Sequence, residues 1–291
     1  MTDPLLRIAA ALERLSPPPP PAADPLAHPA FGWDGTVLRA ARGFRPLPLD
    51  RLVGIDAQKT ALTDNLARLA AGAAAHDVLL WGARGTGKSA LVKAAVGQVQ
   101  ADGGPLALVE APANALAALP GLFALLAQVP RAFAVFVDDL GFDTPADGRA
   151  LRSLLEGGAE GRPGNVRLIV TANRRHLVPR DLKEQGGAAS SSLPGAGYCS
   201  GAGSRGEPWA INPRDGIDDA LALADRFGLS LGFHVVDQDH YVAIVERYCI
   251  AHDLPFDGQE AIGWATKRGS RSGRVAWQYV TELAGRHGKS V

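Results

Sequence analysis

The chain has 291 residues, long enough for one large α/β domain and a small second one, each able to bury a core. Its 30 basic residues are balanced by 30 acidic ones, which removes any global electrostatic reason to bind nucleic acid and leaves only a local patch to do so. Two cysteines, Cys199 and Cys249, exclude a disulfide framework and a Cys-rich zinc site and fit a reducing, cytoplasmic setting; no apolar run reaches the roughly 18 residues of a membrane span.

Asp3-Pro4 followed by Leu5, Ile8, Leu12 and Leu15 predicts a capped amphipathic helix over residues 1–15, suited to docking on the same chain or on a partner. The leucines are interrupted by Arg7, Glu13 and Arg14, unlike a secretory leader. Residues 16–47 read as a linker and lead-in: five consecutive prolines, Pro17 to Pro21, form a stiff extended spacer, and the mixed stretch from Phe31 to Leu49 carries no assignable task. The core is expected over residues 48–236. It opens with Val53-Gly54-Ile55, an apolar turn that suits an adenine face and equally an ordinary core contact, and continues into a helix patterned by Leu62, Leu66 and Leu69.

Asp77-Val-Leu-Leu-Trp-Gly-Ala-Arg-Gly-Thr-Gly-Lys-Ser89 follows, and the chain is organised around it. A buried strand breaks into the glycine-rich turn Gly82, Ala83, Arg84, Gly85, Thr86, Gly87, and a helix begins at Lys88, Ser89 and Ala90. This is the G-x-x-x-x-G-K-S phosphate loop, in which successive backbone N–H groups and a helix N-terminus surround phosphates. Lys88 would reach the outer phosphates of ATP, and the Ser89 hydroxyl would bind the Mg2+ that bridges them.

Strands are predicted at Leu106 to Glu110, Ala132 to Asp139, Val166 to Asn173 and Leu229 to Val235, and a helix over Ala113 to Val129 is expected to be interrupted or kinked at Pro120. Apolar strands alternating with helices imply a five-stranded parallel sheet covered on both faces, with ligands beyond the carboxyl ends of the strands, where Gly82, Asp138 and Asn173 all fall. Asp138 and Asp139 close an apolar strand: Asp138 is placed to hold Mg2+ through water and Asp139 to orient or activate the attacking water. Asn173 would hold that water and the terminal phosphate together, or simply form a turn. The run from Gly186 to Gly206 is glycine- and serine-rich and reads as a mobile loop. Residues 237–291 show three helical patterns and no strand, the signature of a small all-helical lid.

Taken together, the phosphate loop, Phe136-Val-Asp-Asp-Leu140, Thr171-Ala-Asn173, Asp225-Arg-Phe-Gly228 and Gly269-Ser-Arg-Ser-Gly-Arg-Val-Ala276 resemble the AAA+ ATPases. More narrowly, Leu80 to Ser89, Asn173-Arg-Arg-His-Leu177 and Arg268 to Ala276 resemble the bacterial family of predicted AAA+ ATPases catalogued as domain of unknown function 815. The resemblance implies that Asn173 is the sensor-1 residue and that Arg226 is an arginine finger acting on a neighbouring subunit, which makes a homo-oligomer the expected form. It gives Arg274 the sensor-2 role in the lid, with Arg271 as a competitor. Many AAA+ proteins have Asp-Glu where this chain has Asp138-Asp139, and the shorter side chain implies slow turnover. The functions that follow are an ATPase remodelling or loading a macromolecular client, a helicase-loader-like enzyme on DNA, or a nucleotide-gated binding module with little hydrolysis.

Overall fold

A computed structural model describes residues 4, 7, 22–141, 151–155, 162–173 and 226–291. Most of the expected N-terminal helix, the proline spacer, the Gly186–Gly206 loop with Cys199, and Arg174 and Arg175 lie outside these residues.

The structure is built on a seven-stranded sheet in the order β2-β1-β4-β5-β6-β3-β7. Its strands are β1 (Ala30–Trp33), β2 (Leu38–Ala40), β3 (Val78–Gly82), β4 (Leu106–Ala111), β5 (Ala132–Val137), β6 (Val166–Asn173) and β7 (Leu229–Phe233). All neighbouring pairs are parallel except β1 with β2. The five expected parallel strands are therefore present, and the count of five is corrected by a hairpin in the stretch to which no task was given. That hairpin forms because Asp34-Gly35 makes a tight turn: Gly35 takes φ +101°, and the Asp34 carboxylate accepts from the Thr36 and Val37 N–H groups and from Arg39 Nε. Those donors hold the Asp34 carboxyl well below the usual carboxylate range, the Val37 N–H contributing most. β1 then extends the parallel sheet by pairing with β4, Ala30 opposite Leu108.

Helices α1 (Asp56–Ala70) and α2 (Lys88–Ala101) cover one face, where Leu62, Leu66, Leu91, Val92 and Val96 pack on Val78, Leu80, Ala134, Phe136 and Ile169. The other face carries α3 (Leu119–Ala127), whose Leu122, Phe123 and Leu126 meet Leu79, Val109, Val135 and Val170. Alternate residues of each strand thus feed opposite cores, which is why β5 reads as apolar throughout and is buried at every position. Pro120 does not kink the helix. It sits in the first turn of α3, where a missing N–H costs nothing, after a 3₁₀ segment over Ala113–Ala118.

Three further helices, α4 (Gln238–Ala251), α5 (Gly258–Arg268) and α6 (Gly273–Arg286), share a third core of Tyr241, Val245, Cys249, Ala261, Tyr279 and Val280. Each start is capped by a side chain: Asp237 accepts from His240 N–H, Asp257 from Gln259 and Glu260 N–H, and Ser272 from Val275 N–H. Gly269 closes α5 in the left-handed conformation.

Candidate nucleotide site

β3 delivers the loop. Gly82, its last residue, has φ +139°, and a Cβ there would stand 2.1 Å from the Phe233 carbonyl oxygen on β7, so only glycine fits. The chain turns back through Gly85 (φ +76°) and reaches Gly87 (φ +93°), which begins α2. Thr86 Oγ1 donates to the Ala83 carbonyl at 2.9 Å and tightens the turn. Lys88 folds under the loop, donating to the carbonyls of Gly82 (2.9 Å) and Ala83 (2.7 Å). Lys88 as a whole is 8% exposed. Burial pulls its pKa down, and the nearby Asp139 and Asp138 oppose that shift.

The acidic pair lies beside the helix start. Ser89 Oγ donates to Asp138 Oδ1 at 2.7 Å, and Thr171 Oγ1 donates to the same oxygen at 2.6 Å. The Thr171 hydroxyl also accepts from the Asp139 N–H at 2.7 Å. Asp139 takes φ +49°, a left-handed conformation uncommon outside glycine, and this turns its carboxylate toward β6 and the loop. There Asn173 Nδ2 donates to Asp139 Oδ1, and Arg84 Nη2 lies 3.6 Å from Oδ2. Residues from the start of α2 and from the carboxyl ends of β5 and β6 thus meet in one hydrogen-bonded chain, with Arg84 of the loop after β3 ion-paired beside it.

Above the loop lies a cavity of about 650 Å³. Gly85, Thr86, Gly87, Lys88, Ser89 and Ala90 form its floor; Val53 and Ile55 stand on one side, and Ile244, Tyr248, Trp277 and Arg274 approach from the helical unit. Val53 packs against the helical core and Ile55 against the sheet, so this short turn touches both bodies. Gly54 (φ +78°) lies directly under the His240 ring, which a Cβ would meet at 2.6 Å, and His240 Nδ1 pairs with Asp237 at 2.8 Å. The two lid arginines diverge. Arg274 lines this cavity, whereas Arg271 lines a separate one of about 460 Å³ with Ala83 and Arg84.

A direct bond joins loop and helices: the Gly273 N–H donates to the Gly85 carbonyl at 2.9 Å, and Ser272 is buried against Gly85. Arg226 is not part of this assembly within the chain. It precedes β7 at the end of the sheet where Val78 pairs with Leu229, opposite the end that carries the loop.

Several contributors escaped the sequence reading. Thr171 was visible only as part of Thr171-Ala-Asn173, although a hydroxyl two residues before a strand-end amide lies on the same face of the strand. Ser272 and Gly273 carried a legible signal as a helix cap beside Arg274. His240, Tyr248 and Trp277 carried none, since their place depends on how the helices pack.

For Mg2+, the Ser89 hydroxyl and Asp138 carboxylate, side by side at the end of the loop, are the oxygens that would hold it. That fits a cation which retains waters and takes further oxygens from phosphate. Among the described residues no cluster of three or more His, Cys, Asp or Glu offers an all-protein metal cage, as such a shared site requires none.

A family model described as "Protein of unknown function (DUF815)" matches residues 26–287. The chain belongs to this family. No curated protein matches it. Among solved structures it is similar to the Orc1 protein of Aeropyrum pernix in complex with DNA, with 15% identity over 83% of this chain and 61% of that one, and a TM-score of 0.54. It thus spans about three-fifths of the Orc1 chain. A point mutant of Thermotoga maritima RuvB is similar at 18% identity over 84% of this chain and 68% of that one, with a TM-score of 0.52. RuvB of the same organism, described as a Holliday junction branch migration motor, has a TM-score of 0.49 at 18% identity over the same shares. The DUF815 chain therefore has the α/β AAA+ P-loop fold, with seven strands in its sheet.

Proposed function

We propose that this DUF815 chain binds Mg-ATP between the phosphate loop and the helical lid, hydrolyses it slowly, and uses the change in nucleotide state to remodel or load a macromolecular client. One observation carries the reading: the cavity bounded below by the phosphate-loop residues Gly85 to Ala90 and flanked by Val53, Ile55, Tyr248 and Trp277. It is polar where phosphates would lie and apolar where a base would, and its volume is that of a pocket for a molecule of nucleotide size. In this reading Lys88 leaves the Gly82 and Ala83 carbonyls for the outer phosphates, Ser89 and Asp138 hold Mg2+, and Asp139 with Asn173 orients water. Arg274, placed in the cavity where Arg271 is not, reports phosphate state to the lid. When bound, the cation neutralises charge on the bridging phosphate oxygens.

Arg226 is assigned to the nucleotide of a neighbouring copy, because its own loop lies at the far end of β7; a homo-oligomer follows. The lid boundary is placed near Asp237, where the third core begins. Fluorescent ATP titration tests the reading: micromolar binding is expected with Mg2+, and Lys88→Ala should weaken it at least about tenfold, since a buried ammonium paired with phosphate is a strong charge-assisted contact. A wild-type chain that ignores Mg-ATP defeats the proposal.

A DNA client is the second reading. The fold is shared with Orc1, a protein seen in complex with DNA, and Lys267, Arg268 and Arg271 are exposed together at the end of α5 and just beyond it. DNA that stimulates turnover, with a steep loss on adding salt, would favour it. A nucleotide-gated module without hydrolysis is told apart by Asp139→Asn, which would leave its nucleotide lifetime unchanged.

A further inference from the structure

Arg84 is the one cation the loop itself carries besides Lys88. It stands between Gly82 and Gly85 and lines the smaller cavity beside Arg271, next to the one above the loop that Lys88 lines. The two side chains are near enough for the Arg84 charge to add to the downward pull on the Lys88 ammonium. Its guanidinium is 80% exposed and lies 3.6 Å from Asp139 Oδ2. An exposed ion pair at that distance is weak, so phosphate oxygens, which accept a guanidinium bidentately, displace the carboxylate readily. On the Asp139 side, both oxygens are engaged: Asn173 donates to Oδ1 and Arg84 faces Oδ2. With both oxygens occupied, neither is open to a water.

We infer that Arg84 is a catalytic residue supplied in cis. When a nucleoside triphosphate enters, it leaves Asp139 for the oxygens of the terminal phosphoryl group and in doing so frees Asp139 Oδ2 for the attacking water. The inference rests on the ATP-hydrolysing reading above and adds to it a cation from the same subunit, independent of Arg226. In the step, water oxygen forms a bond to the terminal phosphorus, and the bond from that phosphorus to the bridging oxygen breaks. The electron pair of the broken bond departs on the diphosphate, and the water proton passes to Asp139 and then to the released phosphate. Arg84 neutralises charge on the equatorial oxygens as the bond breaks.

The experiment compares wild type, Arg84→Ala and Arg84→Lys for Mg-ATP affinity, turnover, and capture of ADP with aluminium fluoride, a mimic of the planar phosphoryl group. Arg84→Ala should bind Mg-ATP within about threefold of wild type yet lose about 10²-fold or more in turnover and fail to capture the mimic; Arg84→Lys, which keeps the charge but not the fork, should lie between. Mixing Arg84→Ala with Lys88→Ala, which cannot hold the triphosphate but carries an intact Arg84, should restore nothing. Turnover within threefold of wild type for Arg84→Ala, or recovery on mixing, overturns the inference and leaves the ATPase reading intact. A wild-type chain that binds Mg-ATP but neither hydrolyses it nor captures the mimic overturns both catalytic readings. One that does not bind at all overturns the site.

Discussion

Thr171→Val tests how the acidic pair is held. Thr171 is 1% exposed on β6, between β3 and β5, and valine has nearly its volume, so the exchange opens no cavity. It removes the hydroxyl that donates to Asp138 Oδ1 at 2.6 Å and accepts from the Asp139 N–H at 2.7 Å. A hydrogen bond to a charged group contributes about 1.5–3 kcal/mol; because the Asp138 carboxylate is exposed, the lower end, about 1.5 kcal/mol, applies. The Asp139 N–H keeps a second acceptor, Asp138 Oδ1 at 3.1 Å, so its loss adds only about 0.5 kcal/mol. The sum is about 2 kcal/mol, roughly a thirtyfold fall in the folding equilibrium. The left-handed backbone of Asp139 costs about 1–2 kcal/mol on its own, and the Thr171 contact is part of what offsets it. Once released, Asp139 relaxes and its carboxylate turns away from Asn173, so ATP turnover should fall about tenfold with affinity for Mg-ATP nearly unchanged. Urea unfolding and steady-state turnover measure the two effects, and Thr171→Ser should restore both. A stability loss below about 0.5 kcal/mol together with full turnover would refute the account of how the pair is positioned.

Gly85→Ala forces a side chain into φ +76° and sets its Cβ 2.6 Å from the Ser272 Cβ, so the lid is pushed off the loop; Mg-ATP affinity should drop about tenfold by fluorescent titration, the equivalent of the roughly 1–2 kcal/mol left-handed penalty. Trp277 lines the nucleotide cavity and stacks edge-on with Tyr248, so tryptophan emission should shift on adding Mg-ATP and the shift should vanish in Trp277→Phe. Cys249 is fully buried, and burial pushes its thiol pKa up, which suppresses the reactive thiolate. In a Cys199→Ser background the remaining thiol should resist a disulfide-exchange reagent at pH 8 and react fully once the chain is unfolded; prompt labelling of the native protein would contradict that burial.

What could be read from the sequence divides along physical lines. The loop, its strand and the acidic pair were legible because their geometry is fixed by covalent neighbours: the glycines at 82, 85 and 87 all take positive φ, and Asp138 and Asp139 follow a strand apolar throughout. The five parallel strands were legible for the same reason, as apolar runs between helical stretches. The β1–β2 hairpin was passed over although Asp34-Gly35 is a strong hairpin signal, because strands of four and three residues carry too little alternation to register against the arginines around them. The interruption at Pro120 was legible because a proline inside a helical pattern marks either a break or a first turn, and here a 3₁₀ segment ends at Ala118 before α3 begins at Leu119. Of the upper wall of the cavity only Arg274 was legible: Tyr248, Trp277 and His240 are ordinary positions on amphipathic helices until those helices pack across the loop.

The Gly85 carbonyl shows how nucleotide chemistry can reach the lid without any contact between nucleotide and client. In a phosphate loop the N–H groups point inward to the ligand, which leaves the carbonyls to point outward. Here the outward carbonyl of Gly85 accepts the N–H of Gly273, the first residue of α6. That end of α6 is stiff, since Ser272 caps it and Val275, Ala276 and Tyr279 anchor the helix in a core shared with α4 and α5. Lys88 holds the inner side of the same turn through the Gly82 and Ala83 carbonyls, and under the proposed function those bonds are the ones it would give up to a phosphate. Reshaping the loop therefore moves the Gly85 carbonyl, and the three helices follow because their common core makes them one body. Under the proposed function the angle of the helical unit would in this way depend on whether Lys88 is bonded to its own loop or to a phosphate, and Arg274, one residue beyond the bonded N–H, would add a second link present only with phosphate in the cavity.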